Sequence, residues 1–251
     1  MSTNSRIMKS DFSYDLLIIG GGISACVFAS KYLQNNKNKR IALIEVGRGL
    51  GGRSSTRISK IKKFKGWELN HGSPNFNISN IKKNLLLKNY IDELLENKFI
   101  KIDDAELITL GEETKLGSKK NSEFYCGDSY ASSFSMSELS QKIIESNNSG
   151  DRIDLIFETL IVDLDFINDE WTLTSNKGNK FKSKYLICTS NLLLHKRSLK
   201  ILNINQIPFR KAIPKNKEKN FDLLLNLLDK QTFIPRLTFL IYTNENYSYK
   251  D

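Results

Sequence analysis

The run Tyr14-Asp15-Leu16-Leu17-Ile18-Ile19-Gly20-Gly21-Gly22-Ile23-Ser24-Ala25 decides how the rest of this chain reads. Four consecutive apolar residues, Leu16 to Ile19, lead directly into a G-x-G-x-x-A turn. A short apolar run bounded by glycine is the pattern of a strand buried on both faces. The small and apolar residues beyond the turn, to about Gln34, predict a helix. Glu45 lies 25 residues past Gly20 and closes a second apolar run, Ile41-Ala42-Leu43-Ile44. A second glycine cluster follows at once, Gly47-Arg48-Gly49-Leu50-Gly51-Gly52-Arg53.

The residue types fit a dinucleotide. Gly20 permits a tight turn off the strand, and Gly22 lets backbone approach a pyrophosphate with no Cβ in the way. Ala25 takes the third glycine position, where a small residue suffices for helix–strand packing. A helix opening at Ile23 and Ser24 aims N–H groups and about half a positive charge at the phosphates. Glu45 stands near the roughly 20-residue spacing of the acid that accepts ribose hydroxyls. A carboxylate there disfavours a 2′-phosphate, so NADP suits the site least. The Gly51-Gly52-Arg53 cluster has no obvious use in an NAD-binding dehydrogenase, and the two halves together point to FAD.

Composition narrows the field further. The 251 residues carry a formal charge of +10, with 39% hydrophobic and 26% charged residues, as in an ordinary globular protein. The lysines come in small scattered groups, such as Lys62-Lys63-Lys65 and Lys215-Lys217-Lys219, with no recognition-helix, RNP-like or zinc-finger pattern beside them. Specific nucleic-acid binding is therefore not expected. Cys26, Cys126 and Cys188 are odd in number and widely spaced, and His71 and His195 are the only histidines. That argues against a zinc site or a disulfide framework and fits a cytoplasmic protein. Leu16 to Ala29 imitates a membrane span, but it is interrupted by three glycines and is shorter than the ~18 apolar residues a span needs. Met1 to Ser13 reads as a polar leader.

Further along, 84–97 places Leu87, Tyr90, Ile91, Leu94 and Leu95 on one helical stripe. Ser135-Met136-Ser137-Glu138 resembles a capping box opening a second amphipathic helix. Residues 154–157, 161–166, 171–175 and 184–188 are β-rich runs between turn signals. Helices are predicted over 192–202 and 221–230, a strand over 236–242, loops and short strands over 103–129, and irregular chain over 204–220.

With these residues in place, the chain resembles the renalase-like branch of the FAD-dependent amine oxidase superfamily, most closely from Tyr14 to Phe76. The resemblance implies an α/β fold: an FAD-binding Rossmann-type, glutathione-reductase-like domain (14–78 and 151–202) interwoven with a partial α+β substrate domain (79–150 and 203–251). It lays Arg53, with Arg48, along the FAD pyrophosphate. It passes Asn70-His71-Gly72-Ser73 near the flavin, with Asn70 where the family has an acid. It sets Ile161 where a family valine holds adenine through its backbone, although Ile161 equally suits a core strand. The candidate cofactor set is thus Gly20, Gly22, Ile23, Ser24, Ala25, Glu45, Val46, Arg48, Gly52, Arg53, Gly72, Ser73 and Ile161. No catalytic acid–base pair, nucleophile or metal ligand set is assigned. His71 suits a loop as well as the flavin, Tyr125 and Tyr130 suit a core as well as a pocket, and Trp171 reads as packing.

The activity implied is hydride removal from an amine, or from a reduced nicotinamide-like small molecule, onto flavin, with O₂ as acceptor. The family's late Gly-Asp segment is not found; Gly127-Asp128 is a decoy preceding the Ser135 helix. The resemblance therefore implies a chain cut short, its turnover in doubt and its 236–242 strand exposed to self-association. The alternatives are a non-catalytic protein using the same fold, as guanine-nucleotide dissociation inhibitors do, or an NAD-binding dehydrogenase.

Overall fold

Strands that are apolar at every position must be covered on both faces, and the architecture follows from that need. The computed structural model describes residues 11–79, 81–103, 108–110, 116–118, 127–146 and 150–232. In chain order the strands are β1 (Asp11–Ile19), β2 (Ile41–Ile44), β3 (Thr56–Ile58), β4 (Glu68–Asn70), β5 (Asn75–Ile78), β6 (Ile100–Ile102), β7 (Ile108–Leu110), β8 (Leu116–Ser118), β9 (Asp128–Ser132), β10 (Ile153–Ile156), β11 (Ile161–Ile167), β12 (Glu170–Ser175) and β13 (Lys180–Cys188). The α-helices are α1 (Ile23–Asn35), α2 (Leu85–Glu96), α3 (Met136–Glu145), α4 (Arg197–Leu202), α5 (Pro208–Ala212) and α6 (Lys219–Asp229).

The central sheet runs β10-β2-β1-β13-β12-β11. β10, β2, β1 and β13 are parallel, while β11 and β12 add an antiparallel meander. Leu16 and Ile18 face the layer of α1 and α3, in a core with Ala25, Leu33, Met136, Leu139 and Ile143. Leu17 and Ile19 face the other side, with Ala42, Ile44, Leu164, Leu173, Phe181 and Phe209. The register places Ile19 beside both Ile44 and Cys188, so three parallel strands end level. β1 leads to β2 on one side, and β13 returns on the other. A crevice at the carboxyl ends of such strands is where doubly wound folds bind ligands.

The remaining strands form smaller sheets: β3 with β4, β5-β9-β6, and β7 with β8. Ser135 caps α3 by accepting the Glu138 N–H at 3.1 Å. Tyr130 is buried and stacks on Phe76, and Trp171 packs against Phe166 and Phe209, so both are packing residues. Gly127 precedes β9 with φ +101°.

Several boundaries differ from those read in the sequence, each for a tertiary reason. β1 starts at Asp11, inside the expected leader, because Phe12 pairs with and stacks on Phe181. β13 starts at Lys180 because Phe181 and Ser183 are buried between β1 and β12. The helix expected over 192–202 is reduced to α4, since the Asn191 carbonyl accepts the N–H groups of both Leu194 and His195 in a turn. α5 lies in a stretch expected to be irregular, with Pro208 in its first turn. β3, β5 and β6 span three or four residues, too short to show a period. Tyr125, Cys126 and the strand expected over 236–242 lie outside the described residues.

The C-terminus of α1 has no basic residue in its last turn. Arg152, just before β10, donates Nη1 to the carbonyls of Leu33, Asn36 and Lys37 at 2.9, 3.2 and 3.2 Å. A cation there meets the negative end of the helix dipole and satisfies carbonyls that have no intrahelical partner. Arg152→Ala should lower unfolding free energy by about 1.5–3 kcal/mol, the scale of hydrogen bonds to charged groups. Urea titration would measure it; an unchanged midpoint would show that the helix end needs no cap.

Candidate dinucleotide-binding site

A cavity of about 580 Å³ opens at the level ends of β1, β2 and β13. Its floor is made by the two glycine clusters, which the backbone zips together. Gly51 N–H donates to the Gly21 carbonyl at 2.8 Å, and Gly22 and Gly51 form an isolated parallel bridge. α1 starts behind this floor with Gly22 as its N-cap and no side chain capping it. Its first-turn N–H groups are the kind that receive an anionic ligand.

Gly20 has φ +107°, and a Cβ there would stand 2.6 Å from Thr189 Oγ1. Only glycine meets both demands. Thr189 itself donates its N–H and its hydroxyl to the Ile19 carbonyl, each at 3.0 Å, tying the end of β13 to the turn. A Cβ on Gly22 would meet nothing within 4 Å and would project into open space, as a cradle for a ligand requires.

Glu45 does more than end β2. Its Oε2 accepts the Gly21 N–H at 2.5 Å and its Oε1 accepts the Gly47 N–H at 2.6 Å. Each carboxylate oxygen keeps a second lone pair for a hydroxyl from the cavity side. The backbone around Glu45 is held in turn: its N–H donates to Ile156, its carbonyl accepts from Thr159, and Gly47 accepts from Glu158.

Of the residues singled out in the sequence, Gly20, Gly22, Ile23, Ser24, Glu45, Val46, Gly52, Arg53 and Ile161 line the cavity. Four others do not. Ala25 is fully buried in the helix–sheet core. Arg48 is exposed away from the cavity lining. Gly72 and Ser73 lie behind Arg53: Ser73 N–H donates to the Arg53 carbonyl at 3.1 Å, and a methyl group on Gly72 would overlap that oxygen. They position Arg53 rather than line the site. Asn70 also has structural work, its Oδ1 accepting the Thr56 hydroxyl at 2.7 Å and the Met136 N–H at 3.3 Å. His71 does not line the cavity. Ile161 is buried in the core and its residue also lines the cavity.

The sequence left out the far wall. Thr189, Ser190, Asn191, Leu192, Leu193 and Arg197 line it, with Arg197 Nη2 donating to Asn191 Oδ1 at 2.6 Å. Thr159 and Leu160 complete the side near Ile161. The available signal was the polar Thr189-Ser190-Asn191 run ending a buried strand, as Gly20 ends β1. Among the described residues no His, Cys, Asp and Glu cluster could hold a metal ion.

The sheet order and the glycine turn beneath the cavity give an α/β fold of Rossmann type. Residues 18–94 match the family of NAD(P)-binding Rossmann-like domains. No curated protein matches the sequence. Among solved structures, a double mutant of putrescine oxidase redesigned for cofactor binding aligns with a TM-score of 0.53 and 11% identity, over 86% of this chain and 64% of that one. A triple mutant of the same enzyme aligns at 0.53 and 10%, over 84% and 63%. This chain therefore spans less than two thirds of the length of either. At 10 and 11% identity, these alignments show a shared fold.

Two predictions follow from the floor of the site. Glu45→Ala removes the carboxylate that links the glycine clusters, so dinucleotide affinity should fall by about 1.5–3 kcal/mol. Fluorescence titration checks this, and unchanged affinity in a folded variant would remove Glu45 from the site. Burial pushes the Cys26 thiol up to about 12, with its Sγ 3.8 Å from the Gly21 carbonyl. In the unfolded chain this thiol ionises near about 8.5. Its contribution is thus full below that pH and is lost as pH rises towards the folded value, at about 1.4 kcal/mol per pH unit. Stability should fall more steeply above about pH 9 in the parent than in Cys26→Ala. Parallel slopes in urea titrations would refute it.

Proposed function

We propose that the chain is an FAD-binding oxidoreductase of amine-oxidase type, acting on an amine or a reduced nicotinamide-like small molecule with O₂ as acceptor. The observation that carries this is the zipped pair of glycine clusters under one carboxylate, Glu45. It provides an anion-binding helix terminus and a diol acceptor on one continuous floor. Both chemistries belong to an adenosine diphosphate moiety. Thr159, Leu160 and Ile161 would flank the adenine, Glu45 the ribose, and Arg53 with the first turn of α1 the pyrophosphate.

FAD, when bound, supplies the two-electron acceptor for a hydride leaving carbon, and O₂ then takes the electrons to give hydrogen peroxide. The chain's own part is to hold and orient. Arg53 reaches the phosphates from a backbone fixed by Ser73 and Gly72. The polar Thr189-Ser190-Asn191 wall and Arg197 stand on the β13 side, where the remainder of a long dinucleotide would run.

NAD(P) is a second reading, because the matched domain family carries that description. The second glycine cluster favours FAD, since it makes half of the floor and presents Arg53 to it. Absorbance spectroscopy after incubation with FAD and gel filtration separates the two: retained flavin bands are expected, whereas flavin-free protein that binds NADH would overturn the assignment. Arg53→Lys keeps the charge but loses the planar fork that matches phosphate. It should weaken FAD about tenfold while leaving adenosine affinity unchanged. Equal losses for both ligands would place Arg53 away from the phosphates. Peroxide release with amines or dihydronicotinamides then tests the reaction class.

A further inference from the structure

The hairpin of β3 and β4 grows from the rim of the cavity, its first strand starting three residues after Arg53. Its base is fixed by the Thr56–Asn70 contact and by pairing of Thr56 with Asn70, Arg57 with Leu69 and Ile58 with Glu68. Its tip is a folded structure. Ser59 and Trp67 are joined by a 2.8 Å backbone bond, the Gly66 N–H returns to Ser59, and a 3₁₀ turn spans Lys62–Phe64. The Phe64 and Trp67 rings lie 5.1 Å apart, with the Lys63 ammonium 5.4 Å from the Phe64 ring.

That ordered tip exposes what a soluble surface usually hides. Ile58 is 64%, Ile61 65% and Trp67 48% exposed. Among them stand Arg57, Lys60, Lys62, Lys63 and Lys65, all exposed, against a single acid on the hairpin, Glu68, exposed opposite Ile58. Exposed apolar side chains also occur elsewhere, at Leu85, Leu86 and Leu87 on α2 and at Leu223, Leu224 and Leu227 on α6, the latter interleaved with Asp222 and Asp229, and neither group carries five cations within nine residues. The lysine groups look scattered along the sequence, but here the fold gathers one of them with exposed isoleucines and a tryptophan.

We infer that this hairpin is a membrane-docking element that binds the surface of a bilayer carrying anionic phospholipids. Cations on such an element are drawn to anionic headgroups, aliphatic side chains enter the acyl boundary, and tryptophan settles at the interface. Nucleic acid would satisfy the lysines and Arg57 but has no place for two exposed isoleucines. Because the hairpin springs from the cavity rim, docking brings that rim to the lipid surface. The inference does not depend on which dinucleotide or reaction the cavity serves.

The test uses the whole chain with vesicles of phosphatidylcholine, with and without phosphatidylserine. Co-sedimentation should require phosphatidylserine and weaken with salt. Each cation near an anionic surface contributes about fivefold to partitioning, so Lys60→Glu/Lys62→Glu/Lys63→Glu should weaken binding by about a hundredfold or more. Ile58→Ser/Ile61→Ser should weaken it too while leaving dinucleotide affinity and melting temperature unchanged. Brominated lipids should quench Trp67 in the parent, read as the part of the quenching lost in Trp67→Phe, which retains Trp171. That readout holds even if the multiple variants fail to fold. Binding to neutral vesicles alone, undiminished binding by both folded variants, bound protein whose Trp67 is unquenched, or displacement from vesicles by DNA would each overturn the inference.

Discussion

A single carboxylate joins the two glycine clusters, and most of the site's geometry descends from that junction. Glu45 accepts one backbone N–H from Gly21, on the turn leaving β1, and another from Gly47, on the segment leaving β2. Charge-assisted bonds of this kind are roughly twice as strong as neutral ones. They act on segments that have few side chains of their own to hold them. The Gly51 to Gly21 backbone bond then closes the floor and sets where Gly52 and Arg53 stand.

The junction works because the strands beneath it cannot slip. β1 is flanked by β2 and β13 in parallel register, with Leu16 and Ile18 buried on one face and Leu17 on the other. A one-residue shift of any of them would exchange the two faces. It would also separate Gly20, Glu45 and Thr189, which share one level only in the observed register. The apolar runs are thus the reason that backbone polar groups separated by more than 160 residues meet within hydrogen-bond distance, as Thr189 and Ile19 do.

What the sequence reveals of the site is what lies close along the chain. The glycine turn, the first turn of α1 and Glu45 are legible because their spacing follows from one strand, one helix and one return strand. The backbone clasp made by Glu45 is not legible, since the ribose contact proposed for it would require the same residue at the same place. The far wall from Thr189 to Arg197 is not legible for a different reason. It joins the site only through pairing of β13 with β1, and its residues carry no motif. α5 and the short strands escape notice because tertiary packing, rather than local pattern, supports them. The hairpin tip is the clearest case: its lysines are ordinary in sequence, and their meaning depends on the exposure of Ile58 and Ile61.

The two arginines of the cavity show how this division bears on binding. Arg197 is held by Asn191 on the far wall, so its guanidinium is placed in advance. Arg53 is exposed, and the contacts from Ser73 and Gly72 fix its backbone carbonyl, leaving its side chain to be ordered by what it binds. Ordering one long side chain costs about 0.5–1.5 kcal/mol, so the FAD proposed here would meet a preformed floor and offset that cost with the phosphate contact. A fragment that ends at the ribose escapes that cost and forgoes that contact. In the proposed reading, the adenosine side of the site is therefore built into the fold, and the phosphate side is completed by the ligand itself.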